Sequence, residues 1–150
     1  MPAALHPYLN FDGRAREAFE FYGQALGGTP QFSTFGEFQA VHEGHPASDL
    51  IMHGALEVTD LIRLYVSDYI EGMSPGKFTV GNNVTLSLMG DDEQVLRSAF
   101  EKLSEGGEIT MPLEKQMWGD EFGMCVDRYG IQWMVNIAGD QPSGPPDAAV

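Results

Sequence analysis

The sequence predicts an α+β fold assembled from two copies of one βαβββ module. Three observations carry that reading. Apolar residues switch twice between a period of two and a period near 3.6, alternating strands with two amphipathic helices. Both helical segments stop at paired glycines, Gly27-Gly28 and Gly106-Gly107, and Asp12 to Gly27 spans the same 15 positions as Asp91 to Gly106. The length of 150 residues suits two units of roughly 60–75 residues each, and such a repeat fixes the fold.

The elements follow in order. Residues 5–11 alternate as a short strand, with Pro7 at an edge because proline cannot donate to a ladder. Asp12-Gly13 end it. Ala15, Ala18, Phe19, Tyr22 and Leu26 then fall on one helical stripe, giving a helix over 15–26. Residues 31–41, with Phe32, Phe35 and Phe38, suit either a strand or a loop, and 42–49 is a polar loop. Strands over 51–58 and 61–66 join at Thr59-Asp60. Gly72, Pro75, Gly76 and Gly81 mark residues 68–82 as a connector.

The plan then repeats. Val84 to Met89 alternates as a strand. Asp91-Asp92 suits a helix start, where acids cap and complement the dipole. Val95, Leu96, Ala99, Phe100 and Leu103 form the second stripe. Residues 109–111 make a short strand. Residues 122–126 and 131–137 make a hairpin around Asp127-Arg128-Tyr129-Gly130. The expected organisation is a first module over 1–68, a connector over 69–82, a second module over 83–137 and a flexible tail over 138–150, which holds three prolines.

Composition narrows the function. Hydrophobic residues are 43%, enough for a packed core. With 22 acidic and 8 basic residues the formal charge is −14. That argues against nucleic acid, which needs a Lys/Arg footprint, and against anionic membrane surfaces. A single cysteine, Cys125, rules out an intrachain disulfide and a cysteine-based zinc site. No apolar run approaches the roughly 18 residues of a membrane span, and residues 1–25 lack the layout of a signal peptide. The expectation is a soluble cytoplasmic protein. No nucleophile-elbow or phosphate-loop motif is present.

Several spaced segments carry a family likeness: Pro7-Tyr8-Leu9-Asn10-Phe11-Asp12-Gly13, residues 17–22, Leu26-Gly27-Gly28, Ile51-Met52-His53, Met111-Pro112-Leu113, and Trp118-Gly119-Asp120-Glu121-Phe122-Gly123-Met124 continuing through Asp127, Gly130, Trp133 and Asn136. With the duplicated module, they make the chain resemble the vicinal oxygen chelate superfamily of glyoxalase, bleomycin-resistance and extradiol dioxygenase proteins. Within it the chain is most similar to the PhnB-like branch, whose chemistry is mostly unestablished. The resemblance implies curved mixed sheets around a cavity, a small-molecule ligand and a homodimer.

It also implies, for the superfamily's metal enzymes, two ligands per module: a His on the first strand, and a Glu, His or Tyr on the last. His6 is the only candidate at a family position. The matching positions otherwise hold Thr85, Met134, and Arg63 or Tyr65. Thr and Met are poor ligands for such an ion, so the usual site and a cofactor are not expected.

The candidate site residues are then as follows. His6 and His53 could face one cavity as acid–base groups. Asp120 follows Trp118-Gly119, where an aromatic wall would raise a carboxyl pKa by desolvation. These three are the catalytic candidates. Arg63 and Tyr65 share one strand face, and the arginine could take an anionic group. With Trp118, Trp133 and Met134 they are the substrate-binding candidates. The favoured function is a small-molecule binder or enzyme without the four-ligand metal site. The alternatives are a metal-dependent lyase, isomerase or dioxygenase with a non-standard ligand set including His6, and a drug-sequestering binder to which the acidic charge would draw cationic compounds.

Overall fold

The computed structural model describes residues 2–139. Two compact units result, one ending at Thr79 and the other starting at Val80. Each holds one mixed four-stranded sheet and one helix. The first contains β1 (Tyr8–Phe11), α1 (Ala15–Leu26), β2 (Gln31–Thr34), β3 (Ile51–Glu57) and β4 (Arg63–Asp68). The second contains β5 (Leu86–Gly90), α2 (Glu93–Ser104), β6 (Glu108–Lys115), β7 (Glu121–Val126) and β8 (Gln132–Ile137). The strand orders are β1-β4-β3-β2 and β5-β8-β7-β6. In each, the first strand of the module lies parallel to the last and the remaining pairs are antiparallel. The α+β class and the two βαβββ modules read from the sequence are therefore present.

In the first unit, α1 buries Ala15, Ala18, Phe19 and Tyr22 against the sheet face that carries Leu56, Leu64 and Val66. The start of α1 has no side-chain cap of its own, because Arg14 stands at that position. Asp68, on β4, does the work instead. Its Oδ1 accepts from the Ala15 N–H and its Oδ2 from the Ile51 N–H, both at 2.9 Å. One buried carboxylate thus ties helix, β3 and β4 together. Burial pushes the Asp68 carboxyl above its ordinary value of 3.8, and the donated hydrogen bonds act against that rise.

In the second unit Asp92 caps α2 in the expected way, accepting from the Val95 N–H at 3.2 Å. Leu96, Ala99, Phe100 and Leu103 pack on the face bearing Leu88, Cys125, Trp133 and Val135. After the helix the chain passes so close to β7 that a Cβ on Gly107 would lie 2.1 Å from the Val126 carbonyl oxygen, a position only glycine fills.

Several boundaries differ from expectation. β4 starts at Arg63, because Thr59 Oγ1 accepts from the Leu61 and Ile62 N–H groups at 3.1 Å and closes a turn there. The undecided stretch 31–41 resolves into β2 followed by turns. β6 is eight residues rather than three. Almost all of it is exposed, so no buried face imposed a clear apolar period. Pro112 is tolerated because β6 is an edge strand. The tail expected over 138–150 lies, from Asp140 onward, outside the described residues.

Candidate functional site

Side chains alternate across a strand, so the sheet of the first unit has a second face that α1 does not cover. Tyr65 on β4 pairs with Tyr8 on one side and with Ala55 on the other. Tyr8, His53, Arg63, Tyr65 and Ser67 therefore stand on that open face. Their rings form a cluster. Tyr65 stacks with Tyr8 (centroids 6.4 Å, planes 21° apart) and with His53 (5.8 Å, 22°). His6 meets Tyr65 edge-on at 5.5 Å.

Within this cluster the Tyr8 hydroxyl and His53 Nδ1 share a hydrogen bond of 3.1 Å, and the imidazole tautomer sets which of them donates. Both side chains are exposed, Tyr8 at 48%. An imidazole with one nitrogen held by a phenol presents the other to an incoming molecule as donor or acceptor. Further along the face, the Ser67 hydroxyl donates to Asn10 Oδ1 at 2.9 Å. Among the described residues Arg63 reaches only Asp60, at 3.8 Å, and its Nε is buried with no hydrogen-bond partner.

The four predicted residues of the second unit are not brought together as one lining. Trp133 is 1% exposed, on the helix-covered face, and its indole N–H donates to Asp127 Oδ2 at 2.8 Å. As the next residue on β8, Met134 stands on the opposite face, in register with Met124. These two substrate-binding candidates therefore stand on opposite faces, and Trp133 is a core residue rather than a lining one.

Asp120 also departs from expectation. It is buried, and it accepts from the Gly139 N–H at 2.9 Å and from Asn136 Nδ2 at 3.0 Å. Led by the Gly139 contact and then Asn136, these hydrogen bonds hold its carboxyl below the ordinary value, where the sequence suggested a rise by desolvation. Both oxygens are committed to fixing the chain around Gly139. Trp118 adds a smaller effect in the same direction, yet its buried indole N–H closes no full hydrogen bond. Neighbouring Glu121 pairs with Arg97.

An open cleft of about 570 Å³ in the first unit, with no sequence motif to mark it, is lined by Asp12, Tyr69, Glu71, Lys77 and Phe78 among others. Residues 68–82 gave only a connector signal. The cleft holds none of the predicted residues, and the Tyr69 hydroxyl is already bound to the Gly76 carbonyl at 2.7 Å. The aromatic face is the better-equipped surface. In the loop at 42–49, His42 and His45 meet edge-on at 4.9 Å, and His45 Nδ1 accepts from the Ala47 N–H.

Against known families, residues 4–135 match the model of the Glyoxalase/Bleomycin resistance protein/Dioxygenase superfamily. The chain belongs to this superfamily. Protein PA1353 from Pseudomonas aeruginosa, a crystal structure, is 36% identical, with a TM-score of 0.78 over 93% of this chain and 100% of its own. The PhnB protein from Bacillus cereus is 22% identical, with a TM-score of 0.70 over 91% and 100%, a likeness of fold. Protein YjdN from Escherichia coli is 28% identical over 93% of this chain and 98% of its length.

Glyoxalase-superfamily metal enzymes are expected to draw ligands from the first and last strand of each module. At those positions this chain has His6, Arg63 or Tyr65, Thr85 and Met134. His6 and Tyr65 already pack ring against ring, Arg63 is a cation on the same face, and a hydroxyl and a thioether complete the set. That donor set does not fit a divalent ion that takes imidazole and carboxylate. Among the described residues no three of His, Cys, Asp and Glu come together in a geometry that could hold a metal.

Proposed function

We propose that this glyoxalase-superfamily protein binds or transforms a small molecule on the open face of the first-unit sheet, without the four-ligand metal centre. The observation that carries this is the Tyr8–His53 hydrogen bond set among stacked rings on a surface the helix leaves uncovered. His53 serves as the acid–base or hydrogen-bonding group, Tyr8 orients it, and Tyr65 and His6 provide the wall. Superfamily membership supports a small-molecule ligand. We read the working form as a cytoplasmic homodimer, which sedimentation and cell fractionation would check. No helix among the described residues is long and apolar enough to cross a membrane.

A screen of small polar aromatic compounds by melting temperature tests the proposal. A compound that raises Tm by several degrees in the native chain should lose that effect in His53→Ala and keep part of it in Tyr8→Phe. Equal shifts in native and His53→Ala protein would place the ligand elsewhere. A parallel arm with cationic antibiotics tests the sequestering alternative, which a stabilising drug would favour.

A further inference from the structure

The same face contains one group that the acid–base reading leaves unused. Arg63 is the only Lys or Arg on the four strands of the first unit. Its side chain is about two-thirds covered, with 35% exposed. Among the described residues the one carboxylate within reach, on Asp60, is fully solvated and sits at 3.8 Å, a geometry in which ion pairs hold little. Glu57 lies directly across the ladder from Arg63, and no ion pair joins them. The Nε–H is buried with nothing to donate to. A guanidinium donates up to five hydrogen bonds in a fixed fork matched to a carboxylate. Here the Nε–H is shut off from solvent, so the terminal N–H groups of the partly exposed side chain are the ones that can meet a ligand, two residues along the same strand face from Tyr65.

We propose that the ligand is a planar conjugated acid, with its carboxylate on Arg63 and its ring against Tyr65, Tyr8 and His53. The inference rests on the proposed binding face and names the class of molecule that face takes. The rings supply flat contact, and charge-assisted hydrogen bonds at Arg63 orient the acid so that the ring lies beside His53. The formal charge of −14 repels anions at long range. That repulsion is screened over roughly 8 Å at physiological salt, whereas the contact at Arg63 is direct.

The test uses three probes on the full chain at physiological ionic strength: benzoate, its neutral isostere benzamide, and the non-planar acid cyclohexanecarboxylate. Dissociation constants come from titrations of the His53 ring resonances. Benzoate should bind at least tenfold tighter than either of the others. Arg63→Gln should bring benzoate to the level of benzamide, and Arg63→Lys should restore part of the difference, because a point charge lacks the fork. Benzamide binding as tightly as benzoate, or benzoate unaffected by Arg63→Gln, overturns the anion assignment. If that binding still depends on His53, the face stands as the site and only the ligand class falls. If no probe moves the His53 resonances, both fall.

Discussion

Replacing Asp127 by Asn should cost about 3 kcal/mol, and the cost should depend on Trp133. Asp127 is 3% exposed and closes the β7–β8 hairpin. Its Oδ1 accepts from the Tyr129 and Ile131 N–H groups at 2.8 and 3.1 Å, and its Oδ2 from the Trp133 indole at 2.8 Å. Asparagine keeps one oxygen for the two backbone donors and turns an NH2 toward the indole N–H. One charge-assisted hydrogen bond worth about 1.5–3 kcal/mol is lost, and a buried donor is left unsatisfied at a further cost of about 1–3 kcal/mol. Partial relaxation brings the sum to about 3. A domain holds roughly 5–15 kcal/mol, so the variant should fold with Tm lower by roughly 6–12 °C. The assay is urea unfolding followed by far-UV circular dichroism on native, Asp127→Asn, Trp133→Phe and double-variant proteins. Removing the indole N–H relieves the clash, so the double variant should be more stable than additivity predicts by at least 1 kcal/mol. Additivity within about 0.5 kcal/mol, the level expected of independent sites, would refute the coupling.

Two buried carboxyls should shape the acid limb of stability in opposite directions. Asp120 is held below the ordinary 3.8, so its contribution is complete above that value and fades as pH falls through the lower folded-state pKa. Asp68 is raised, so the folded state binds its proton more tightly, and stability falls as pH rises from 3.8 through the higher folded-state value. Urea midpoints between pH 3 and 6 should therefore lose their low-pH decline in Asp120→Asn and their fall above pH 3.8 in Asp68→Asn. A separate prediction concerns Cys125, which is buried and whose thiol burial pushes up. Iodoacetamide at pH 8 should label it only when denaturant opens the fold, and rapid labelling of native protein would contradict its placement.

Much of the fold was legible because each module states its own local rules. The apolar stripes of α1 and α2, the glycine pairs after them and the aspartate cap of α2 are all signals within a turn or two of the residues they describe. Long-range devices were not legible. Asp68 completes the start of a helix 53 residues earlier in the chain, and no local pattern marks it. At Asp120 the sign of the shift is opposite to what the sequence suggests, because neighbours in sequence point to an apolar wall while the hydrogen bonds come from Asn136 and Gly139. Strand alternation alone puts Trp133 and Met134 on opposite faces. The same alternation puts Arg63 and Tyr65 on one strand face, as the register has them. Tyr8 carries no motif that marks it as a site residue, yet its register opposite Tyr65 puts it beside them.

The most direct test of the binding face uses the four histidines as internal reporters. His6 and His53 stand with the ring cluster, whereas His42 and His45 sit in the loop at 42–49. In a carbon–proton correlation spectrum of the imidazole rings, addition of a bound small molecule should move the His6 and His53 signals and leave those of His42 and His45 in place. A ligand that binds with His6 and His53 unmoved would contradict the assignment of the site.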